Sequence, residues 1–545
     1  MLNYLIGIIH SQNGIQRDCT AYASKAYIEG LWVRFYEGHP KKIGGCKLTN
    51  FGTNTIIRSL FSLPQSTGGI YLYSGMNPPD SIAGSVSYIE ISMGGISSGG
   101  VDRTPLSWTP TPNIIWKFDS GNFTGTDVSD LEVVSTLIFA NPIQEDISNT
   151  TLYPVFAGNV NDELPLVPLS YSADTGGGPV EASGGILVCP PVLVVLQGGS
   201  ISWSRFDGGL GINDPSVWLK TNTLPISNTK LVRGINILGG GSPTILLWSL
   251  NALYRASFVA NPITEGPEPL TFISTTIHPN ISIISANSVV TYDQMVFWIG
   301  IDQFYVYNGI VQSLPNTMNN DWFFESVNQS ALSRIWGVAI PRYKEIWWFY
   351  PRDTATECNA VIIYNVEQNI FYDNTIPSRL PAAVYPFTRS AGIGATGNYP
   401  FPIYADNTLV ANPNNPLSKT YPIWTHEQGV DRVIQNQTFA IPSYYTTHWM
   451  DLWSQDGTNS NLLINRRIAP DFQQIGSMTV TVSSLMYPNS VPMVDGPYPF
   501  TQSTEFIDLS SQGGLCNFTF ESNTIGGDYF AGKSLYFYSK GDTLK

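Results

Sequence analysis

Six acidic residues stand where a strand-rich chain could place hydrolytic chemistry: Glu90, Asp119, Asp207, Asp293, Asp302 and Glu345. A glycoside hydrolase needs two carboxyl groups across one sugar ring, one to protonate the leaving oxygen and one to act as base or nucleophile. Asp293 and Asp302 each open an Asp-Gln dipeptide at a strand reversal, where Asp is a favoured turn former, so the turn accounts for both. Glu345 follows the Arg342-Tyr343 reversal, where a polar residue is expected in any case.

Other chemistries find less footing. The histidines His10, His39, His278, His426 and His448 are far apart, and none has a metal-ligand partner four residues on. One G-x-G-x-x-G occurs, from Gly392 through Gly394 to Gly397, but Asn398-Tyr399-Pro400-Phe401-Pro402 follows. A dinucleotide fingerprint must open a helix whose N-terminus meets the pyrophosphate, and that run opens none. There is no G-x-S-x-G elbow, H-E-x-x-H or P-loop. Cys19, Cys46, Cys189, Cys358 and Cys516 are scattered singly, which fits buried thiols in a reducing cytoplasm better than a disulfide framework or a zinc site. The sequence therefore predicts no catalytic residue, no metal and no cofactor, and a protein that is not an enzyme.

The elements that would position any site are short strands. From Ile281 to Tyr350 the chain runs through Phe297, Trp298, Phe304, Tyr305 and Tyr307 to Trp347, Trp348, Phe349, Tyr350 and Pro351 with few charges between. Asp293-Gln294, Asp302-Gln303, Asn308-Gly309 and Arg342-Tyr343 fall where the strands reverse. Neighbouring strand residues point to opposite faces, so Trp347 and Trp348 are expected to fill two different packing layers. A platform of exposed tryptophans for a sugar is the functional alternative to that architectural reading. Related units recur at GGIYLYSG, LVVLQGGSISWSRF, PTILLWSLNALYRASFVANP and NAVIIYNVEQNIFYD, with irregular spacing. Asp321–Ile335 reads as a helix, with Trp322, Phe323, Val327, Leu332 and Ile335 on one face.

Composition agrees with many strands and turns. Charged residues make up 12% of the 545, about half the usual share, beside 12% aromatics, 49 Gly and 38 Pro. The fold expected is all-β: an irregular β-propeller of six blades with inserted loops, followed by a C-terminal β-sandwich-like domain. Residues 1–49 are expected to hold a short helix, around 18–29, and a strand pair that contacts the propeller. The propeller is placed at 50–425, with an insertion around 150–185, and the sandwich at 426–545. A formal net charge of −14 argues against tight binding of a nucleic-acid backbone. The apolar run 186–196 contains Pro190-Pro191 and is too short to span a bilayer, and the N-terminal run lacks the features of a signal peptide.

The stretch from Asn287 to Pro351, with Trp298, Tyr307, Gly309, Glu345 and the Trp347-Trp348-Phe349-Tyr350-Pro351 run, resembles the tail nozzle and packaged-DNA stabilisation proteins of short-tailed bacteriophages. LWVRFYEGHPKKIGG, SPTILLWSLNALYRASFVANP and NRRIAPDFQQIGSMTVTVSSLMYPNS resemble other parts of that family in the same order. The resemblance implies a virion tail subunit, assembled in the host cytoplasm into a sixfold ring. Such a ring would sit beneath a portal-side adaptor, carry fibres or spikes on its outer face, and let double-stranded DNA pass without reading its sequence. It would narrow the exit channel, retain the packaged genome and open for ejection. The alternative is a propeller displayed on a virion, binding a receptor glycan or a fibre, and after that a propeller glycan hydrolase.

Overall fold

The structure, a computed structural model, describes residues 4–53, 55–64, 70–77, 86–92, 95–96, 100–109, 111–124, 134–160, 162–207, 212–237, 243–260, 270–375, 389–393, 401–407, 409–412, 415–434, 437–451 and 461–543. Antiparallel sheets follow one another along the chain, as the alternation of apolar runs and turn dipeptides requires. Their first strands are Ile56–Pro64, Ile114–Thr124, Ile186–Cys189, Leu231–Ile237, Val290–Tyr292 and Trp336–Ile340, and each sheet is built from strands close in sequence, with Tyr153–Pro154 of the blade 2 region pairing in a separate small sheet. These are blades 1 to 6. The reversals at Asp293-Gln294 and Gly309 lie where expected, with positive φ at all three residues.

A seventh blade closes the ring. Arg389–Ile393, Ile403–Asp406 and Asn415–His426 form three of its strands, and the fourth is Cys46–Thr53, from the far end of the chain. Seven apolar cores separate the blades. Tyr73 meets Trp116 between blades 1 and 2, and Phe139 meets Val188 between 2 and 3. Leu187 meets Leu247 between 3 and 4, Trp248 meets Trp298 between 4 and 5, and Phe304 meets Trp348 between 5 and 6. Trp336 and Phe349 meet Tyr404 between 6 and 7, and Ile57 meets Ile403 between 7 and 1. The fold is a β-propeller. The expected six blades are those made of local strands; the seventh needs a pairing across most of the chain, which no local pattern announces.

The residues after blade 7 form the β-rich C-terminal unit. One sheet orders Leu5–Ile9, Ser534–Thr543, Asn461–Ala469 and Ile507–Asp508. A second orders Glu29–Leu31, Ser443–Thr446, Leu515–Ser522, Met478–Leu485 and Met493–Phe500. Phe518 of the second packs on Tyr536 of the first, with ring centroids 5.7 Å apart. A third sheet joins Val33–Tyr36 and His39–Lys42 to Asp528–Ala531 and Phe472–Ile475. The N-terminal strands are thus woven into the C-terminal unit and blade 7.

Three local expectations are corrected. No helix forms at 18–29: Ala26–Tyr27 and Glu29–Leu31 are strands, and the Asp18 carboxylate instead accepts the amides of Asp321 and Trp322. The helix expected over 321–335 is broken. An α-helix, Asn320–Ser326, ends at extended Val327, and a 3-10 segment, Gln329–Arg334, starts afresh where the Asn328 side chain accepts from the Ser330 amide. The region 150–185 is only partly an insertion, because Phe156–Asn159 and Val167–Pro168 are the outer strands of blade 2.

Candidate functional site

Of the six acidic residues, the four whose side chains are described, Asp119, Asp293, Asp302 and Glu345, do not converge. Asp293 and Asp302 are exposed turn residues. Glu90 and Asp207 lie in strands of blades 1 and 3, and their side chains are outside the described residues. Gly394 and Gly397 also fall outside them. Asp119, on the first strand of blade 2, accepts the amides of Val188 at 2.7 Å and Ser120 at 2.8 Å. Burial raises its pKa, opposed by those two hydrogen bonds and by Arg233.

Glu345 needs a correction, because it is fully buried and not an incidental turn residue. Its Oε2 lies 3.2 Å from Arg34 Nη2 and accepts from Trp347 Nε1, and its Oε1 accepts from Tyr372 Oη at 2.6 Å. Arg34 comes from the C-terminal unit, also bonds Glu427, and stands 3.5 Å above the Tyr343 ring. Two carboxylates and one guanidinium thus tie blade 6, blade 7 and the C-terminal unit together. Burial still raises the Glu345 carboxyl, against the pull of Arg34.

The other residues that carry the sequence resemblance are architecture. Trp298, Trp347, Trp348, Phe349 and Tyr350 are at most 1% exposed. Trp347 faces the core shared with blade 7 and the C-terminal unit, whereas Trp348 faces blade 5, as strand alternation predicts. Tyr307 fills the core between blades 4 and 5, Gly309 turns a hairpin at φ +109°, and buried Pro351 ends the Trp347 strand. No tryptophan among the described residues is exposed, so the described surface offers no indole platform for a sugar. Four cysteines are buried thiols; Cys19 is exposed.

A different set of side chains converges on the propeller axis. The inner strands of blades 1, 2, 4 and 6, with the segment just before blade 5, enclose a cavity of about 180 Å³. Arg58, Lys117, Arg233 and Asn287 supply its polar wall, and Phe61, Trp116, Phe118 and Trp336 much of its apolar wall. Among the described residues no carboxylate lines it. Lys117 is 6% exposed and donates to Asn287 Oδ1. Burial, then Arg233 and Lys230, hold its pKa well below the usual lysine value. Burial also lowers Arg233, with Asp119 opposing.

Lys117 and Asn287 also line a small void of about 10 Å³ with Glu145, Lys230 and Ser333. Glu145, Asp146, Asn149 and the 3-10 segment border a separate, wider recess of about 690 Å³. Burial brings Lys230 down to about 8, although Asp146 counters it. The nearby carboxylates Glu357 and Glu145 are engaged: Glu357 holds Arg58 through two 2.7 Å bonds, and Glu145 lies 2.8 Å from Arg334. Of these residues only Asp119 stood out in the sequence. Lys117 in IIWKF and Arg233 in LVRGI are single charges inside apolar strands, and that is the signal by which they could have been found.

No protein-family model matches the sequence. No curated protein matches it either. Among solved structures, an exo-β-1,3-galactanase from Phanerochaete chrysosporium, crystallised with galactose, aligns with 91% of this chain and 100% of its own, at 10% identity and a TM-score of 0.29. A putative exported protein from Bacteroides fragilis aligns over 57% of this chain and 94% of its own, at 10% identity and a TM-score of 0.28. Neither likeness bears on what this chain binds or cleaves.

Proposed function

We propose that this propeller is a structural subunit of a bacteriophage tail nozzle, a ring that narrows the DNA exit channel and opens for ejection. One observation carries the reading beyond the sequence resemblance: among the described residues, the C-terminal unit has two edge strands in different sheets that bear exposed apolar side chains. Leu5–Ile9 borders the first sheet with Ile6 60% and Ile8 56% exposed, and Met493–Phe500 borders the second with Val494 65% exposed. A bare edge strand invites pairing with another chain. Two unlike edges on one protomer suit head-to-tail contacts, which generate rings when the rotation closes. The buried Arg34 network would hold the propeller and the C-terminal unit as one body within such a ring.

The test is a reconstruction of tails containing this chain. Six copies around a duplex-wide channel beneath an adaptor would support the reading, whereas single or trimeric copies at the periphery would overturn it.

A second reading, a virion-displayed propeller that binds a receptor glycan or a fibre, is favoured by the axial cavity, since donors and aromatic rings in a concave site suit a small polar ligand. The hydrolase version draws no support from a cavity whose described wall holds no carboxylate. A glycan-binding screen with the intact protein tests the second reading. Retention of a cell-surface glycan would support it, and a blank screen would leave the ring reading alone.

A further inference from the structure

We propose that the axial cavity is a binding site for a small oxyanion, a carboxylate or phosphate of at most single-sugar size, gripped by Lys117 and Arg233. The inference sharpens the binding reading by naming the ligand's chemistry, and it stands whether or not the chain forms a ring.

The wall is built of donors. Lys117 carries three N–H groups and gives one to Asn287; among the described residues neither Lys117 nor Arg233 forms a salt bridge, although Asp119 acts on Arg233 at longer range. The Nε atoms of Arg233 and the Trp116 indole are buried with no hydrogen-bond partner. Buried donors are rarely left unmatched. A single anion between Lys117 and Arg233, which share the cavity wall, would give the Arg233 Nε an acceptor. The depressed basicity of Lys117 agrees, since burial and neighbouring cations work against its charge and no carboxylate in contact offsets them.

Size and lining set the class. About 180 Å³ is below the range of drug-sized pockets, roughly 300 Å³ and upward. Phe61 and Phe118 give one side an apolar wall on which the C–H face of a sugar acid could rest.

The experiment is calorimetry and thermal unfolding of the full chain with inorganic phosphate, glucuronate, glucose and sodium chloride, the last at matched ionic strength. Saturable binding of phosphate or glucuronate, with a rise in Tm that chloride does not give, is expected. Which of the two binds tells a phosphate site from a sugar-acid site. An equal response to glucose, or no response to either anion, overturns the proposal.

Lys117→Met should weaken binding by roughly tenfold or more, as loss of a charge-assisted hydrogen bond does. Without ligand it should unfold at the same or a higher temperature, because it replaces a buried amine whose charging burial and neighbouring cations oppose. Unchanged affinity in that variant overturns the assignment. Should the variant fail to fold, Asn287→Asp supplies the second measurement: it places a carboxylate against Lys117 and should abolish anion binding. Failure of the anion titration beside a positive glycan screen would sink this site and leave the receptor reading standing.

Discussion

Arg34 and Glu345 lie 3.2 Å apart with neither side chain reaching solvent, one in the C-terminal unit and the other in blade 6. Glu427 of blade 7's end completes the cluster, and Tyr372 stays protonated and donating because burial and Glu345 push its pKa well above the usual value. Two carboxylates share one buried guanidinium, so the cluster cannot lose the cation without leaving both uncompensated.

Replacing Arg34 by Met should therefore destabilise the protein by about 3–5 kcal/mol, the usual consequence of breaking a buried pair from one side. Denaturant unfolding measures it. Glu345→Gln in the Arg34→Met background should cost much less than it does alone; additive losses would show that the two residues do not act together.

The same cluster predicts a pH dependence with a definite sign. Burial would raise the Glu427 carboxyl, but Arg34, His426 and the hydrogen bonds outweigh it and hold the pKa below 4.5. The unfolded chain then binds more protons across that window, so the stabilisation is complete above 4.5 and is lost as pH falls through the folded-state value. Glu345 opposes this: its raised pKa makes its contribution fall as pH rises above 4.5. The gap in Tm between wild type and Glu427→Gln should be widest near neutral pH and shrink as pH drops below 4.5. A gap that grows on acidification would contradict the assignment.

Blade packing gives a third prediction. A Cβ on Gly337 would sit 2.4 Å from Val290 Cγ2 and 2.8 Å from Trp348 Cδ1, where the inner strands of blades 5 and 6 approach. Both neighbours are fixed in cores, so Gly337→Val should cost about 1–3 kcal/mol through overpacking. Thermal unfolding reads this directly, and a neutral substitution would mean that the two inner strands are not so close.

What the sequence disclosed follows from the range of the interactions. The hairpins of blades 4 to 6 were legible because Asp293-Gln294, Asn308-Gly309 and the alternation about Trp347 are local signals. Blade 7 was not, since Cys46–Thr53 pairs with Asn415–His426 across most of the chain. The helix over 321–335 was read as continuous because apolar spacing cannot show that Asn328 caps a new start. The axial site escaped for a related reason. A lysine or arginine in a strand ordinarily marks the solvent face, and only ring closure turns Lys117 and Arg233 inward together.

The edge strands supply the last prediction, which separates assembly from folding. Ile6 and Ile8 lie two apart on Leu5–Ile9, so they share a face, while Gly7 turns toward the Tyr536 ring on the other. Charging the exposed face removes no buried contact. Ile6→Lys with Ile8→Lys should leave Tm within about 1 kcal/mol equivalent of wild type, as surface substitutions do. Yet lysines on an edge strand oppose pairing with a second chain. If the edges join protomers, this variant and Val494→Lys should each prevent oligomers in analytical ultracentrifugation. Because a head-to-tail contact uses one edge from each protomer, mixing the two variants should restore a single interface and yield dimers but no closed ring. Full assembly by both variants would remove the observation on which the ring reading rests.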